Sequence, residues 1–480
     1  GEDPWPTPFV SQFLVMGTAG EEPSQVRYGN QRVDQRVRVA RGGQDYMTAW
    51  NDWVDVQNAW NARDALNFAS SGDAAVVEPK ESEFETDGGV LKLQPITTLR
   101  DLATYVHDDA LYQAYLNAAL ILLGGRFEIN ADGITPRAGK SFDRDPGIPY
   151  HDASTNSVPR TNRSPFAVFG GPYLLDLVTR VSSPALRAVR ASKFSVHRRA
   201  RPEVLAARFH TIFTLYDPSG GGEYDLGDPV EGEARRILGR TLAPQVVPEA
   251  GATEPSLVNV LRAVRESNEK ANATAAQPNP PNSWLLPMAF PEGSPMHPAY
   301  GAGHATVAGA CVTILKAFFD MGPKSNRVMF VEPGENAYIA HKTSADTDPP
   351  ELIEVPMKDG LTLLGELNKL CWNISNGRNI AGVHYFTDYI ESAILGENVA
   401  IGVLREQMLT YFHGQDYSDC AKAANNPATP DADENVSMTL PLFTRRRLPK
   451  SLLAGGADFT HDDPVEEIKI CKDGTLKKVH

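Results

Sequence analysis

The chain has 480 residues, 22% of them charged, and a formal net charge of −14 at pH 7. That length allows about three domains or one large helical one, with enough apolar residue for a sizeable core. The acidic balance argues against nucleic acid or an anionic membrane as partner, because both are bound by spread basic surfaces. Cations that matter for function are therefore expected in one pocket.

Residues 1–100 are rich in Gly, Pro, Asp and Trp and lack sustained periodicity, apart from a short helix expected within 45–68. They read as an extended arm that wraps other parts of the chain or a neighbouring subunit, and residues 101–480 as a helical catalytic domain. Apolar stripes at helical spacing run through 111–123, 257–264 and 399–412. The clearest stripe is Leu363, Leu364, Leu367, Leu370, Cys371 and Ile374, with Thr362 as a candidate N-cap. The most apolar runs, 112–123 and 305–319, are shorter than the roughly 18 residues a membrane span needs and read as core helices. Strand alternation is rare, with 328–331 and 352–355 expected to form a small hairpin. Pro-, Gly- and Asn-rich stretches at 277–283 and 425–434 read as loops. The fold class expected is mainly α with long loops and minor β-hairpins.

Two smaller features bear on chemistry and compartment. The acidic loop from Asp217 to Asp228 has carboxylates and carbonyls suited to structural calcium but not the spacing of a known calcium loop, so a solvated loop is preferred. Cys311 and Cys371 lie in apolar helical patterns and are expected as buried thiols. Cys420 and Cys471 lie in polar sequence and can pair in an oxidising compartment. No charged segment followed by an apolar run opens the sequence. A soluble protein is expected, with a secreted or periplasmic location left open.

Three separated stretches carry the functional signal: Lys193-Phe-Ser-Val-His-Arg-Arg-Ala-Arg201-Pro202, Gly301-Ala302-Gly303-His304, and Gly377-Arg378-Asn-Ile-Ala-Gly382-Val-His384. Together they supply three fixed cations, two histidines and a glycine-flanked helix start. Lys and Arg give charge-assisted bonds to several oxygens, helix N-terminal amides accept negative charge, and a neutral imidazole can bond a central atom. This is a kit for gripping a tetrahedral or trigonal-bipyramidal oxyanion. In isolation a Gly-His pair reads as a capping residue and Arg378 and His384 as ordinary surface and core residues. The combination outweighs those readings. Arg198, Arg199 and His197 read as packing or solvated residues.

In order and residue type the three stretches resemble the vanadium-dependent haloperoxidases and the acid and lipid phosphatases that share their oxyanion pocket. The family pattern is Lys-x6-or-7-Arg-Pro, Pro-Ser-Gly-His and Ser-Arg-x5-His. The resemblance covers residues 193–412 well and implies two packed four-helix bundles with the pocket between helices. It implies a vanadate cofactor bound by Lys193, Arg201, Arg378, Ala302 and Gly303, with His384 as the metal ligand. It also implies His304 as the acid–base residue and Lys193 as the group that polarises peroxide. His297, seven positions before His304, stands where bromide-using members carry a histidine that tunes the cofactor. Ala302 replaces the family's serine, which removes a hydroxyl donor worth about 1.5–3 kcal/mol to a charged group. Gly377 also replaces a serine, read as a milder loss.

The function expected is oxidation of halide by hydrogen peroxide, bromide or iodide with chloride left open, giving hypohalous acid that halogenates a small organic acceptor. The alternative is a phosphomonoesterase with His384 as nucleophile and His304 as general acid. A degraded oligomeric shell protein is a third reading. The resemblance further implies a homo-oligomer between dimer and dodecamer, and no nucleic-acid or membrane partner.

Overall fold

The structure, a computed structural model, describes residues 8–18, 21–58, 84–87, 89–124, 127–130, 133–136, 142, 166–167, 169–215, 256–273, 283–341, 350–411, 437–446, 465–471 and 476–478. The described helices are α1 (Gln12–Val15), α2 (Trp50–Gln57), α3 (Leu99–Tyr105), α4 (Gln113–Gly124), α5 (Gly171–Arg180), α6 (Ser182–Ala191), α7 (Pro202–Leu215), α8 (Ser256–Asn272), α9 (Gly303–Phe318), α10 (Leu363–Ile380) and α11 (Phe386–Tyr411). The mainly α expectation stands. Among the described residues no helix is long and apolar enough to cross a membrane.

The core is built around α9, which is buried on every side from Ala305 to Phe318. Most of it is Ala, Val, Ile and Leu, and its polar residues Thr306, Thr313 and Lys316 are buried too, so neighbours cover it all round. They are α4, α5, α6, α10 and α11. The closest neighbour is α11, because each helix puts a glycine where the other's backbone passes: a Cβ at Gly309 would collide with the Ala393 carbonyl, and one at Gly396 with the Thr306 carbonyl. Helix α10 follows its stripe, with Leu363, Leu367, Leu370, Cys371 and Ile374 buried, and Thr362 caps it by accepting from the Gly365 amide at 3.1 Å.

The N-terminal segment is anchored in this core. Phe13 and Leu14 are fully buried, and the Ser11 and Gln12 amides donate to Asn373 Oδ1 (2.7 Å) and Glu366 Oε2 (2.8 Å) of α10. The strands are short and peripheral. The expected hairpin between 328–331 and 352–355 does not form: Asn336–His341 pairs antiparallel with Glu351–Pro356, while Met329–Val331 pairs with Leu361–Thr362. Pairing an alternating apolar segment needs a partner in register, and register follows the turn, which those two runs do not specify. Cys311, Cys371 and Cys471 are buried thiols, and Cys420 lies outside the described residues.

Candidate active site

Lys193 and Arg201 are set by the backbone between α6 and α7. Helix α6 widens into a single π-helical turn, Ser192–His197, closed by the Arg198 amide on the Lys193 carbonyl at 3.0 Å, and Arg198 is left-handed at φ 47°. π turns are costly and recur at functional sites. Pro202 then starts α7, where its missing N–H costs nothing. Lys193 and Arg201 are both buried. Lys193 Nζ donates to the Pro298 (2.6 Å) and Ala299 (3.2 Å) carbonyls. Arg201 donates through Nε to the His297 carbonyl (2.9 Å) and through Nη1 to the Val383 carbonyl (2.7 Å). Its Nη2 lies 2.8 Å from His297 Nδ1.

His384 arrives by a chain reversal written into the sequence. Helix α10 ends in a Schellman motif, in which Val383 N–H bonds the Arg378 carbonyl (3.2 Å) and Gly382 N–H the Asn379 carbonyl (2.9 Å). Gly382 takes the required positive φ, 84°. Two residues later His384 is buried, with Nε2 3.1 Å from Arg201 Nη1 and Nδ1 3.1 Å from Asp388 Oδ2. Asp388, in the first turn of α11, also accepts the Tyr385 amide at Oδ2 (3.1 Å) and Arg199 Nη1 at Oδ1 (2.7 Å).

These contacts settle the protonation state of His384. Burial is the largest influence and drives its pKa down to about 3; Asp388 opposes this, and Arg201, Lys193 and Arg378 reinforce it. The ring is therefore neutral, its proton on Nδ1 facing Asp388, and the Nε2 lone pair faces the cations. Burial tends to raise the Asp388 pKa, but its bonds from His384 and the Tyr385 amide hold it below the ordinary value.

Arg378, at the end of α10, is also buried. Nη1 donates to the Val106 carbonyl at 3.1 Å, and among the described residues Nε has no hydrogen-bond partner. Burial, then Arg201, brings Lys193 down to about 7. Burial, then Arg378, brings Arg201 down to about 10. Mutual repulsion of this kind requires Lys193, Arg201 and Arg378 to share one neighbourhood. Among the described residues, the hydrogen-bond partners of all three are carbonyl oxygens and imidazole nitrogens. The site thus holds three cations out of water that carboxylates such as Asp388 and Asp109 favour from nearby without bonding them, together with a guanidinium N–H unpartnered among the described residues. A multiply charged oxyanion fits both.

The remaining residues singled out in the sequence surround this centre. His297 is exposed, but burial of its inward face and the nearby Lys193 and Arg201 lower its pKa. Gly303 opens α9, so its amide is one of the first-turn donors without an intrahelical acceptor. Ala302 is the N-cap, offers no side-chain cap, and donates its amide to Ser392 Oγ at 2.8 Å. His304 lies in the first turn of α9 with Nε2 2.7 Å from Asp109 Oδ1. It joins the cation cluster at one remove, since Asp109 is in turn a favourable charge for Arg378.

Sequence reasoning misses Asp109 and His107. His107 stacks on Phe290 with ring centroids 3.6 Å apart, and its Nε2 is 3.1 Å from Glu292 Oε1. Burial lowers its pKa to about 4. No spacing rule ties residues 107 and 109 to 304 or 378; the only signal is the Tyr105-Val-His-Asp-Asp109 run itself. One sequence reading needs extending and another correcting. Arg199, read as a packing or solvated residue, is exposed and packs on Tyr300 and Tyr385, and it also bonds the fully buried Asp388, a contact that reading did not include. Gly377 is not simply a lost hydroxyl: a Cβ there would sit 2.6 Å from Val106 Cγ2 and 2.9 Å from the Leu102 carbonyl, so the packing of α3 on α10 requires glycine. His197 and Arg198 make local contacts, with Tyr300 and the Phe194 carbonyl. The acidic loop 217–228 lies outside the described residues. Among the described residues no group of three or more His, Cys, Asp or Glu is placed to hold a metal ion.

A helical scaffold thus buries three cations around a neutral, carboxylate-oriented imidazole, an arrangement with the charge and donors that suit an oxyanion. No protein-family model matches the chain. By sequence it is a relative of the vanadium-dependent bromoperoxidases: it is 39% identical over 424 residues to that of Corallina pilulifera and 38% identical over 422 residues to that of Corallina officinalis. Each alignment covers 84% of this chain and 58% of the relative, so the chain spans little more than half the length of these proteins. A homohexameric vanadate-dependent bromoperoxidase from Ascophyllum nodosum shares the fold, with a TM-score of 0.57 and 21% identity over 98% of this chain and 60% of that one.

Proposed function

We propose that this chain carries the vanadate site of a haloperoxidase, which oxidises bromide or iodide with hydrogen peroxide to hypohalous acid that halogenates a small organic acceptor. The observation that carries the reading is that Arg201 meets neutral His384 at Nε2 while the buried Lys193 and Arg378 lie close enough to lower its pKa, with Arg378 Nε buried and unpartnered among the described residues. The relatedness to bromoperoxidases supports vanadate as the anion.

Bound vanadate supplies a Lewis acid that activates peroxide without a change in oxidation state. The chain's own groups do the rest. His384 would hold the group through Nε2, since Asp388 takes the Nδ1 proton. Lys193, Arg201 and Arg378 would hold the oxygens of the group by charge-assisted bonds, and Lys193 would supply the charge that polarises peroxide toward halide. Ala302 and Gly303 contribute backbone at the positive end of α9. His304, bonded to Asp109, is the acid–base group for the peroxide proton, and His297 on Arg201 tunes the protonation of the site. In this reading residues 1–100 form the arm and 101–480 carry the pocket. The protein assembles as a homo-oligomer, as the homohexameric A. nodosum bromoperoxidase does. Calcium at the loop 217–228 is not needed for it. Phosphate would fit the same cations, but sequence relatedness to bromoperoxidases disfavours the phosphatase reading.

The test is bromination of monochlorodimedone by metal-free protein with and without orthovanadate. Turnover that needs both vanadate and peroxide is expected, and His384→Ala abolishes it. Hydrolysis of p-nitrophenyl phosphate inhibited by vanadate, with no bromination, would overturn the reading in favour of the phosphatase.

A further inference from the structure

We propose that Arg199 is a positioning residue of this site, which fixes through Asp388 the ring orientation and tautomer that His384 presents. The inference rests on the vanadate reading for its functional consequence, but its structural part concerns the protein without any bound anion. Arg199 and Arg201 are two residues apart and bracket the imidazole: Arg201 Nη1 meets Nε2 at 3.1 Å, and Arg199 Nη1 meets, at 2.7 Å, the carboxylate that takes Nδ1–H. The Asp388 oxygens are divided between tasks. Oδ2 takes His384 and the Tyr385 amide, and Oδ1 takes Arg199.

Asp388 is 0% exposed, so without Arg199 its Oδ1 would be a buried, charged and unpaired oxygen. The carboxylate would then rotate or move toward other donors, and the direction of the Nδ1–H bond would go with it. Arg199 itself is held in place. Nη1 also donates to Thr387 Oγ1 (3.0 Å), and the guanidinium carbon lies 5.0 and 5.3 Å from the Tyr300 and Tyr385 ring centroids. Such stacking suits a planar guanidinium and not an ammonium. Its backbone carbonyl also accepts the Ala299 amide at 2.9 Å, and the Ala299 carbonyl in turn accepts Lys193 Nζ. One residue therefore ties the Lys193 shelf to the His384 ring.

The experiment uses the whole chain with 15N-labelled histidine. In the metal-free wild type, His384 shows a single tautomer protonated at Nδ1. Arg199→Met keeps the aliphatic stem and removes the donor; it is expected to give a tautomer mixture or exchange-broadened ring nitrogens and to weaken vanadate, read by equilibrium dialysis, by roughly ten- to a hundredfold. Arg199→Lys, which keeps the charge, is expected to recover part of both. If Arg199→Met does not fold, Arg199→Gln against Arg199→Lys makes the same comparison. Wild-type His384 signals and vanadate affinity within about twofold in a folded variant without the cation would overturn the inference. A wild type that binds no vanadate would instead overturn the haloperoxidase reading, while the His384 tautomer would still decide the role of Arg199.

Discussion

Arg201 Nη1 sits 3.1 Å from His384 Nε2, on the side of the ring opposite the bond from Nδ1 to Asp388. A guanidinium has no acceptor, so the imidazole nitrogen it meets must offer a lone pair. The contact therefore keeps Nε2 in its deprotonated form, and under the proposed function an oxyanion would take over the Arg201 N–H and leave the Nε2 lone pair free to act as a ligand.

The first prediction concerns acid stability. His384 has a folded-state pKa of about 3 against an ordinary 6.5, so the unfolded chain binds this proton first. Stability from this residue is fully present above pH 6.5 and lost as pH falls toward 3, with a slope of up to roughly 1.4 kcal/mol per pH unit. Denaturant unfolding of wild type and His384→Gln between pH 3 and 7 should show a steeper decline in the wild type. Parallel curves would contradict the assignment of a buried neutral ring.

The second concerns Lys193, lowered to about 7 from an ordinary 10.5. An oxyanion favours the charged ammonium, so binding above pH 7 takes up a proton and affinity falls as pH rises through that region. Calorimetry of vanadate binding at pH 8, in buffers of different ionisation enthalpy, should report proton uptake that Lys193→Met removes. The same substitution should make the anion-free protein more stable at neutral pH, because burial and the neighbouring Arg201 outweigh the attraction of Asp388 and leave the cation unfavourable there.

Ala302→Ser should strengthen the site. The N-cap of α9 has no side-chain bond, and a serine there contributes about 1 kcal/mol to the helix and adds a hydroxyl beside Gly303. We expect a higher unfolding midpoint and vanadate affinity raised about tenfold or more. No change in either would show that the methyl group already fills that space.

Gly377→Ser should act in the opposite sense, although both changes bring the chain nearer the haloperoxidase pattern. The new Cβ meets Val106 Cγ2 at 2.6 Å and the Leu102 carbonyl at 2.9 Å, an overpacking that costs roughly 1–3 kcal/mol. Denaturant midpoints measure it directly. Gly382→Ala should destabilise as well, since it forces a side chain onto φ 84° and against Met288 Sδ at 2.7 Å.

What is legible in the chain alone is local or periodic. The stripe of α10 and its Thr362 cap follow from spacing and cap chemistry, the buried run of α9 from its mainly apolar composition, and the reversal before His384 from Gly382 just past a helix end. The oxyanion kit of Lys193, Arg201, Arg378 and His384 is legible because charged groups in three motifs of fixed order are a compositional signal. The partners of those groups are not. That Asp388 faces His384 is an i,i+4 relation, but its bond to Arg199, the Asp109–His304 pair and the need for glycine at 377 join residues about 190 to 275 positions apart, where residue order carries no distance information. Residue type and spacing establish which charges and helices exist. Long-range packing establishes which of them leave water together, and that shared desolvation makes His384 neutral, lowers Lys193 and leaves Arg378 Nε buried without a hydrogen-bond partner among the described residues.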